Sequence, residues 1–289
     1  MIEGVVTVLK PPGMSSSDVV VDVRRIFGTK RVGHLGTLDP EAAGVLPVCV
    51  GRAVKLFDYL VDKQKTYLCE IVFGASTDTQ DAQGTVLETS DRIVTAEEPD
   101  AVLPRFRGTI VQTPPMYSAL KYNGQKLYDL ALKGKEIPDK SREVTIFALE
   151  RTEQTGENRF LLSVTCSRGT YIRTLCHDLG AALGVPAHMG FLLRTASGPF
   201  TLNDARSIAE LEALKAEDRL SEALTSCEDA LTFLPRFDLA PDRKKPALNG
   251  LPTTTKTNDG TYRFYCGSFL GIGTVQNREA VLKVHLSAE

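Results

Sequence analysis

Hydrophobic positions along the 289-residue chain repeat with two periods, and the switches between them outline its elements. Residues 5–9 are a short apolar run that stops at Lys10-Pro11-Pro12-Gly13, where proline and glycine enforce a turn. Ser15, Ser16 and Ser17 then offer N-caps to a helix over 18–27, with Val19, Val23, Ile26 and Phe27 on one face and Gly28 as its stop. The segment 31–40 is too glycine-punctuated to be helical. Residues 45–50 read as a strand, and Pro47 within them predicts an edge or bulged position, because proline cannot donate to a ladder. Over 52–61, Ala53, Leu56, Phe57, Leu60 and Val61 have the spacing of an amphipathic helix. Residues 66–73 switch to alternation, placing Tyr67, Cys69, Ile71 and Phe73 on one face of a strand.

Thr95 and Glu98 spell a capping box that opens a helix to about Leu103. Strands are expected at 107–111, 144–149 and 160–166, and the first two flank a proline- and lysine-bearing excursion, 113–142, too long for a turn. Ile172, Leu175, Leu179 and Leu183 line a helix that ends at Gly184 and Pro186. Ser207 and Glu210 cap another, with acidic helical sequence to about 225. Beyond 232–245 the pattern becomes short β runs at 262–265, 270–275 and 281–286 between Gly, Asn and Pro. Strands and helices do not alternate regularly, so the expected class is α+β with a mixed, mostly antiparallel sheet and flanking helices. The expected division is 1–235 and a small β-rich module over 236–289.

Composition narrows the chemistry. Hydrophobic residues make up 42% and charged residues 24%, enough for a real core. No apolar run approaches the roughly 18 residues of a membrane span. The start, Met1-Ile2-Glu3-Gly4, lacks the basic and apolar regions of a secretory signal, so a cytoplasmic location is expected. The six cysteines are scattered with no C-x-x-C, which reads as reduced thiols, neither disulfides nor zinc ligands. Phosphate-loop, dinucleotide and zinc-deaminase motifs are absent, so neither metal nor cofactor is expected. The net charge of −2 conceals a polar distribution. Residues 105–142 hold eight basic against three acidic residues, a local +5, while 78–100 and 204–229 are strongly acidic. One basic face on a weakly acidic protein still attracts phosphates, with an affinity that falls steeply with salt.

The candidate chemistry centres on Asp39. Asp-Pro alone is a common turn initiator. Here, however, the carboxylate has apolar neighbours, glycines that permit close ligand approach and a histidine five residues upstream. His177 and Asp178 follow Cys176, but consecutive helical residues diverge by about 100° and cannot form a triad among themselves. Asp78 and Asp81 read as turn formers in preference to magnesium ligands.

Six ordered stretches carry a resemblance. Gly33-His34-Leu35-Gly36-Thr37-Leu38-Asp39-Pro40 with Ala43-Gly44-Val45-Leu46-Pro47 resembles the G-H-x-G-x-L-D-P…G-x-L-P signature of the bacterial tRNA pseudouridine synthase B (TruB) family. Lys10-Pro11-Pro12-Gly13-Met14-Ser15-Ser16, Lys65-Thr66-Tyr67, Thr77-Asp78-Thr79-Gln80-Asp81, Pro115-Met116-Tyr117-Ser118-Ala119-Leu120-Lys121 and Ser167-Arg168-Gly169-Thr170-Tyr171-Ile172-Arg173 are similar to its other motifs. The resemblance implies a pseudouridine synthase fold with a small C-terminal PUA-like β domain. It also implies isomerisation of uridine 55 in the T-arm of tRNA, by base flipping and an aspartate-dependent rearrangement of the glycosidic bond. In that reading Asp39 is the catalytic carboxylate, as nucleophile at C6 or acting at C1′, Arg173 its counter-charge and Tyr67 an acid/base group on the base. Tyr171 and Leu192 contact the uridine, and His34 fills the space left by the flipped base. Tyr117, Lys121, Lys126, Lys133 and Lys135, in the excursion at 113–142, are the implied RNA contacts.

The chain departs from the family where Leu192-Leu193-Arg194 replaces Leu-Arg-Arg, and 237–289 match it in position only. The expected enzyme is a monomer that needs tRNA but no protein partner and no membrane. Two alternatives are an RNA-folding protein without catalysis and an RNA-guided synthase subunit. A complete Asp39, Tyr67 and Arg173 set speaks against the first, and activity of the purified chain on an unmodified T-arm stem-loop would exclude the second.

Overall fold

The computed structural model describes residues 3–61, 63–115, 121–122, 125–126 and 141–286. In chain order the elements are β1 (Gly4–Lys10), α1 (Ser16–Phe27), β2 (Val32–His34), β3 (Ala43–Val50), α2 (Phe57–Leu60) and β4 (Lys65–Phe73). Next come β5 (Ala75–Thr77), β6 (Val86–Thr89), α3 (Glu97–Val102), β7 (Gly108–Gln112), β8 (Lys121–Tyr122), β9 (Gln125–Lys126), β10 (Arg142–Gly156) and β11 (Arg159–Cys166). They are followed by α4 (Ile172–Leu183), β12 (Ala187–Ser197), β13 (Phe200–Thr201), α5 (Ile208–Ala216) and β14 (Leu224–Thr225). The last part holds β15 (Arg236–Asp238), α6 (Lys244–Leu248), β16 (Thr253–Thr254), β17 (Gly260–Cys266), β18 (Ser268–Gln276) and β19 (Glu279–His285).

A ten-stranded sheet in the order β14-β1-β3-β12-β4-β11-β10-β7, with β2 on β3 and β13 on β12, forms the body. It is mixed and mostly antiparallel, as expected; β3 and β12 meet in parallel. One face packs against α1, α4 and α5 through Val19, Val23, Ile26, Leu175, Leu179 and Leu211. The opposite face of β1 and β3 is covered by Ala53, Leu56, Leu60 and Phe200, and by Ile272 and Leu286 from a second sheet, β15-β17-β18-β19-β16. Strands covered on both faces need no polar side, which is why 5–9 and 45–50 read as nearly continuous apolar runs.

Four expectations require correction. β3 is interior, not an edge. Pro47 is tolerated because β3 leaves β12 at Gly44 and meets β2 only at Val48. In that gap the Pro47 carbonyl accepts from Leu35 N (2.9 Å), and a proline nitrogen there withholds no ladder bond. The helix expected over 52–61 is a 3-10 helix over Gly51–Leu56 that becomes α-helical only at Phe57. The acidic helix stops at Ala216, and 220–225 form a 3-10 turn and β14. Finally β12, which gave no sequence signal, is the eleven-residue strand between β3 and β4. Its bulges between Met189 and Phe191 and between Arg194 and Ala196 break the period-two alternation.

Candidate active site

Asp39 sits on the loop between β2 and β3, and its position is set by backbone clamps before and after it. Ser15 caps α1 through Asp18 N, which frees Ser16 to face the loop. The buried Ser16 hydroxyl accepts from Leu38 N (2.9 Å) and donates to Leu38 O (3.0 Å). Lys10, fully buried at the end of β1, donates its ammonium to the carbonyls of Pro11, Met14 and Pro40. Burial lowers the Lys10 pKa, so those carbonyls take the place of its hydration shell. Gly13 N adds a second bond to Pro40 O (3.0 Å), so the Lys-Pro-Pro-Gly turn and the start of α1 serve as a bracket for the Asp39 loop.

Across the cleft, α4 opens at Tyr171, whose N–H donates to Gln112 Oε1 (3.0 Å) and whose carbonyl accepts from Gln112 Nε2 (3.2 Å). Arg173, in the first turn, is 7% exposed and reaches Asp39 Oδ2 with Nε at 3.2 Å. Its Nη1 contacts Asp81 Oδ2 (3.4 Å) and donates to Thr79 O (3.2 Å). The turn at 77–81 therefore does more than reverse the chain. Asp78 serves as a turn former, accepting from Thr85 N, whereas Asp81 shares the guanidinium of Arg173. The neighbouring Gln80, held at φ +61°, accepts from Thr174 Oγ1 (2.9 Å) and so ties the same turn to α4. Asp39 keeps 45% of its side chain exposed, toward a cavity of about 350 Å³.

That cavity is lined by His34, Asp39, Tyr67, Tyr171, Arg173 and Leu192, among others, so the implied reacting and uridine-contacting side chains converge on one space. Its volume falls within the roughly 300–1,000 Å³ of small-molecule sites. Tyr67 lies on the buried face of β4, and burial pushes its phenol above the ordinary range. His34 is half-buried, and burial with the nearby Arg194 charge lowers its pKa, which favours the neutral imidazole. Its Nδ1 has no hydrogen-bond partner among the described residues. Arg142 lies with Cζ 4.9 Å from the centre of the Tyr171 ring.

Sequence reasoning did not single out Lys10, Ser16, Asp81 or Arg194 as members of this site. The first three stand inside quoted motifs, so a signal existed without a role attached. Tyr117, Lys133 and Lys135 lie outside the described residues, as do the side chains of Lys121 and Lys126, whose backbones pair in the β8–β9 hairpin. His177 Nδ1 approaches Asp178 Oδ1 (3.3 Å), but Cys176 points into the core, so no triad forms. Among the described residues no group of three His, Cys, Asp or Glu side chains could hold a metal, and no helix is long and apolar enough to cross a membrane.

Comparison with known proteins gives a consistent result. Residues 24–172 match the family described as TruB family pseudouridylate synthase (N terminal domain), and 173–232 match the tRNA pseudouridylate synthase B C-terminal domain. A protein of Bacillus pumilus (strain SAFR-032) named tRNA pseudouridine synthase B is 46% identical over 256 residues, covering 86% of this chain and 83% of its own length. One of the same name from Caldanaerobacter subterraneus subsp. tengcongensis is 41% identical over 283 residues, 96% of this chain and 97% of its own. Among solved structures, an H/ACA RNP bound to a substrate RNA containing 2′-deoxyuridine aligns with a TM-score of 0.76 at 22% identity. That alignment spans 99% of this chain and 85% of that one, a likeness of fold.

Proposed function

Because the chain belongs to the TruB family of pseudouridylate synthases, we propose that it isomerises uridine 55 in the T-arm of tRNA, with Asp39 as the reacting carboxylate. At the level of reaction class it is a pseudouridine synthase that acts on tRNA. The reaction breaks the N1–C1′ bond, turns the base and joins C5 to C1′. The proton on C5 is released and N1 gains one, so the product is an isomer with no net redox change. Whether Asp39 adds to C6 or acts at the sugar, the step needs an ionised oxygen beside a pocket that admits a pyrimidine.

The observation that carries this reading is the Asp39–Arg173 contact (3.2 Å) at the edge of the cavity. Arg173 neutralises the carboxylate from the protein side while the other face of Asp39 stays open to a ligand. On this reading Tyr67 and Leu192 supply walls for a uracil ring, and Tyr171 adds a polar-edged aromatic to the lining. A base folded into a loop is then extruded to enter the cavity, at a cost of a few kcal/mol, and His34 from the cavity lining fills the vacated stack. On this reading residues 1–235 form the catalytic domain, with 113–142 an RNA-binding insertion, and 236–289 a small RNA-contacting β domain. The chain then acts as a monomer, without a guide RNA or a protein partner.

The test is Asp39→Asn, which keeps the side chain's size and removes its charge. With tRNA carrying tritium at C5 of uridine, release should vanish while the tRNA dissociation constant stays within about threefold of wild type. Conversion by the Asn variant would remove Asp39 from the reaction. Failure of the pure wild-type chain to convert an unmodified T-arm stem-loop would remove the stand-alone reading.

A further inference from the structure

Arg194 is the largest fully buried side chain among the described residues, with 0% exposure, and it stands in the cavity wall. Burying a guanidinium costs several kcal/mol unless something takes the place of water. Among the described residues no carboxylate is paired with it; its partners are backbone carbonyls. Nε donates to Val45 O (2.7 Å), Nη2 to Gly36 O (3.2 Å) and Nη1, more weakly, to Thr37 O (3.4 Å). The local backbone is shaped for this reach. Gly44 holds φ +110° where β3 meets Arg194, and a Cβ there would lie 2.2 Å from Arg194 O. Gly36, at φ +109°, lies under the guanidinium and beside the Lys65 side chain.

Arg194 also lies opposite Tyr67 in the β12–β4 register, and its charge opposes the effect of burial on the Tyr67 phenol. The charged and titratable groups around it are Lys10 from β1, His34 from β2, Asp39 from the loop, Lys65 and Tyr67 from β4, Cys166 from β11 and Arg173 from α4. Of these only Asp39 is a carboxylate, and it is engaged by Arg173; Glu41 acts on Lys10 from the same loop. The wall behind Tyr67 is therefore electropositive, where heterolysis of the N1–C1′ bond would leave an electron pair on the base. Fixed charge aimed at developing charge is the strongest catalytic device in a dry site.

We propose that Arg194 is a positioning residue for the isomerisation: it fixes the Gly36–Thr37 backbone that leads into Asp39 and orients and polarises the Tyr67 phenol from behind. The inference rests on the uridine-isomerising reading of the site. A fully buried side chain offers no surface to the RNA backbone, so its effect belongs in the rate of the chemical step and not in tRNA affinity.

Arg194→Met and Arg194→Lys, alone and combined with Tyr67→Phe, test this in single-turnover tritium release from C5-tritiated tRNA, with filter binding and thermal melting on the same samples. The Met variant fills similar volume without a charge and should lose at least 100-fold in rate, with the dissociation constant within threefold of wild type. Lys, which restores the charge without the planar fork, should recover roughly tenfold of that loss. In the Tyr67→Phe background the same Met substitution should cost less than it does alone, because part of its effect passes through the phenol. Any of three results overturns the inference: a Met variant within threefold of the wild-type rate, a rate loss matched by an equal loss of tRNA affinity, or full additivity with Tyr67→Phe. If the Met variant does not fold, the Lys variant decides, and a wild-type rate there overturns the proposal. A wild-type protein that releases no tritium would instead refute the uridine-isomerising reading itself.

Discussion

The Ser16 hydroxyl offers a quantitative test of the Asp39 loop, because one buried atom satisfies both backbone groups of the residue before the carboxylate. Ser16→Ala removes that oxygen and leaves the N–H and carbonyl of Leu38 without it. Each buried polar group so orphaned costs about 1–3 kcal/mol, so the variant should lose about 2–6 kcal/mol of stability. At about 2 °C per kcal/mol for a chain of this length, the melting temperature should fall by roughly 4–12 °C. The loop can recover part of this only by moving, and displacement of a reacting group by about 1 Å can cost on the order of 100-fold in rate. The expected single-turnover rate is thus about 10- to 100-fold below wild type with tRNA affinity unchanged. Ser15→Ala is the matched control: it removes the cap of α1, worth about 1 kcal/mol, and the hydroxyl it deletes bonds to Asp18 within that helix. A Ser16→Ala enzyme at the wild-type rate, or a Ser15→Ala enzyme equally slow, would refute the assignment of the hydroxyl to the loop.

Two further outcomes follow from the charges around the site. Asp81→Asn should slow the chemical step by about 10- to 100-fold with unchanged tRNA affinity, because Arg173 loses a carboxylate that helps to fix its direction; equal rates would show that its direction does not depend on Asp81. His34 has a lowered pKa in the folded state, so below pH 6.5 the unfolded chain binds a proton that the folded chain refuses, and stability falls as the pH drops through that window. The difference in melting temperature between wild type and His34→Gln should therefore change between pH 7.5 and 5, above the range where carboxylates titrate. His177, raised by Asp178, contributes with the opposite sign, its stabilisation being lost as the pH rises through its folded pKa; a flat difference curve for His34→Gln would contradict the burial of the imidazole.

The sequence pattern located most elements because their faces are regular. The alternation of 66–73 needs only one buried side, and β4 follows it residue by residue. Gly28 and Gly184 mark helix stops because each sits in the left-handed region that closes a helix. Periodicity failed where backbone geometry departs from the ideal period. The 3-10 winding of Gly51–Leu56 keeps Ala53 and Leu56 buried at i and i+3, a spacing it shares with an α-helix. Pro47 looked like an edge marker because the sequence cannot show that the neighbouring strand has already turned away. β12 carries two bulges, so its buried residues fall out of step, and with it Arg194 stayed invisible as a wall of the site.

The same distinction divides the site. Asp39, Tyr67 and Arg173 were legible because each is an identifiable chemical type inside a quoted motif. The residues that hold them act on backbone carbonyls and amides, which have no signature in a sequence: Lys10 on Pro40, Ser16 on Leu38, Gln112 on Tyr171 and Arg194 on Gly36. Each clamp spans elements far apart in the chain, so none could be assigned before the sheet order brought β1, β7 and β12 to one cleft. Leu35 extends this logic to the second sheet. It is four residues from Asp39 and packs in one cluster with Leu56, Ile272 and Leu286. The back of the Asp39 loop therefore rests on a core that the C-terminal strands help to close. A module with no diagnostic motif can in this way stiffen the carboxylate's support through plain apolar contact, which leaves only hydrophobic residues at ordinary strand spacing as its trace.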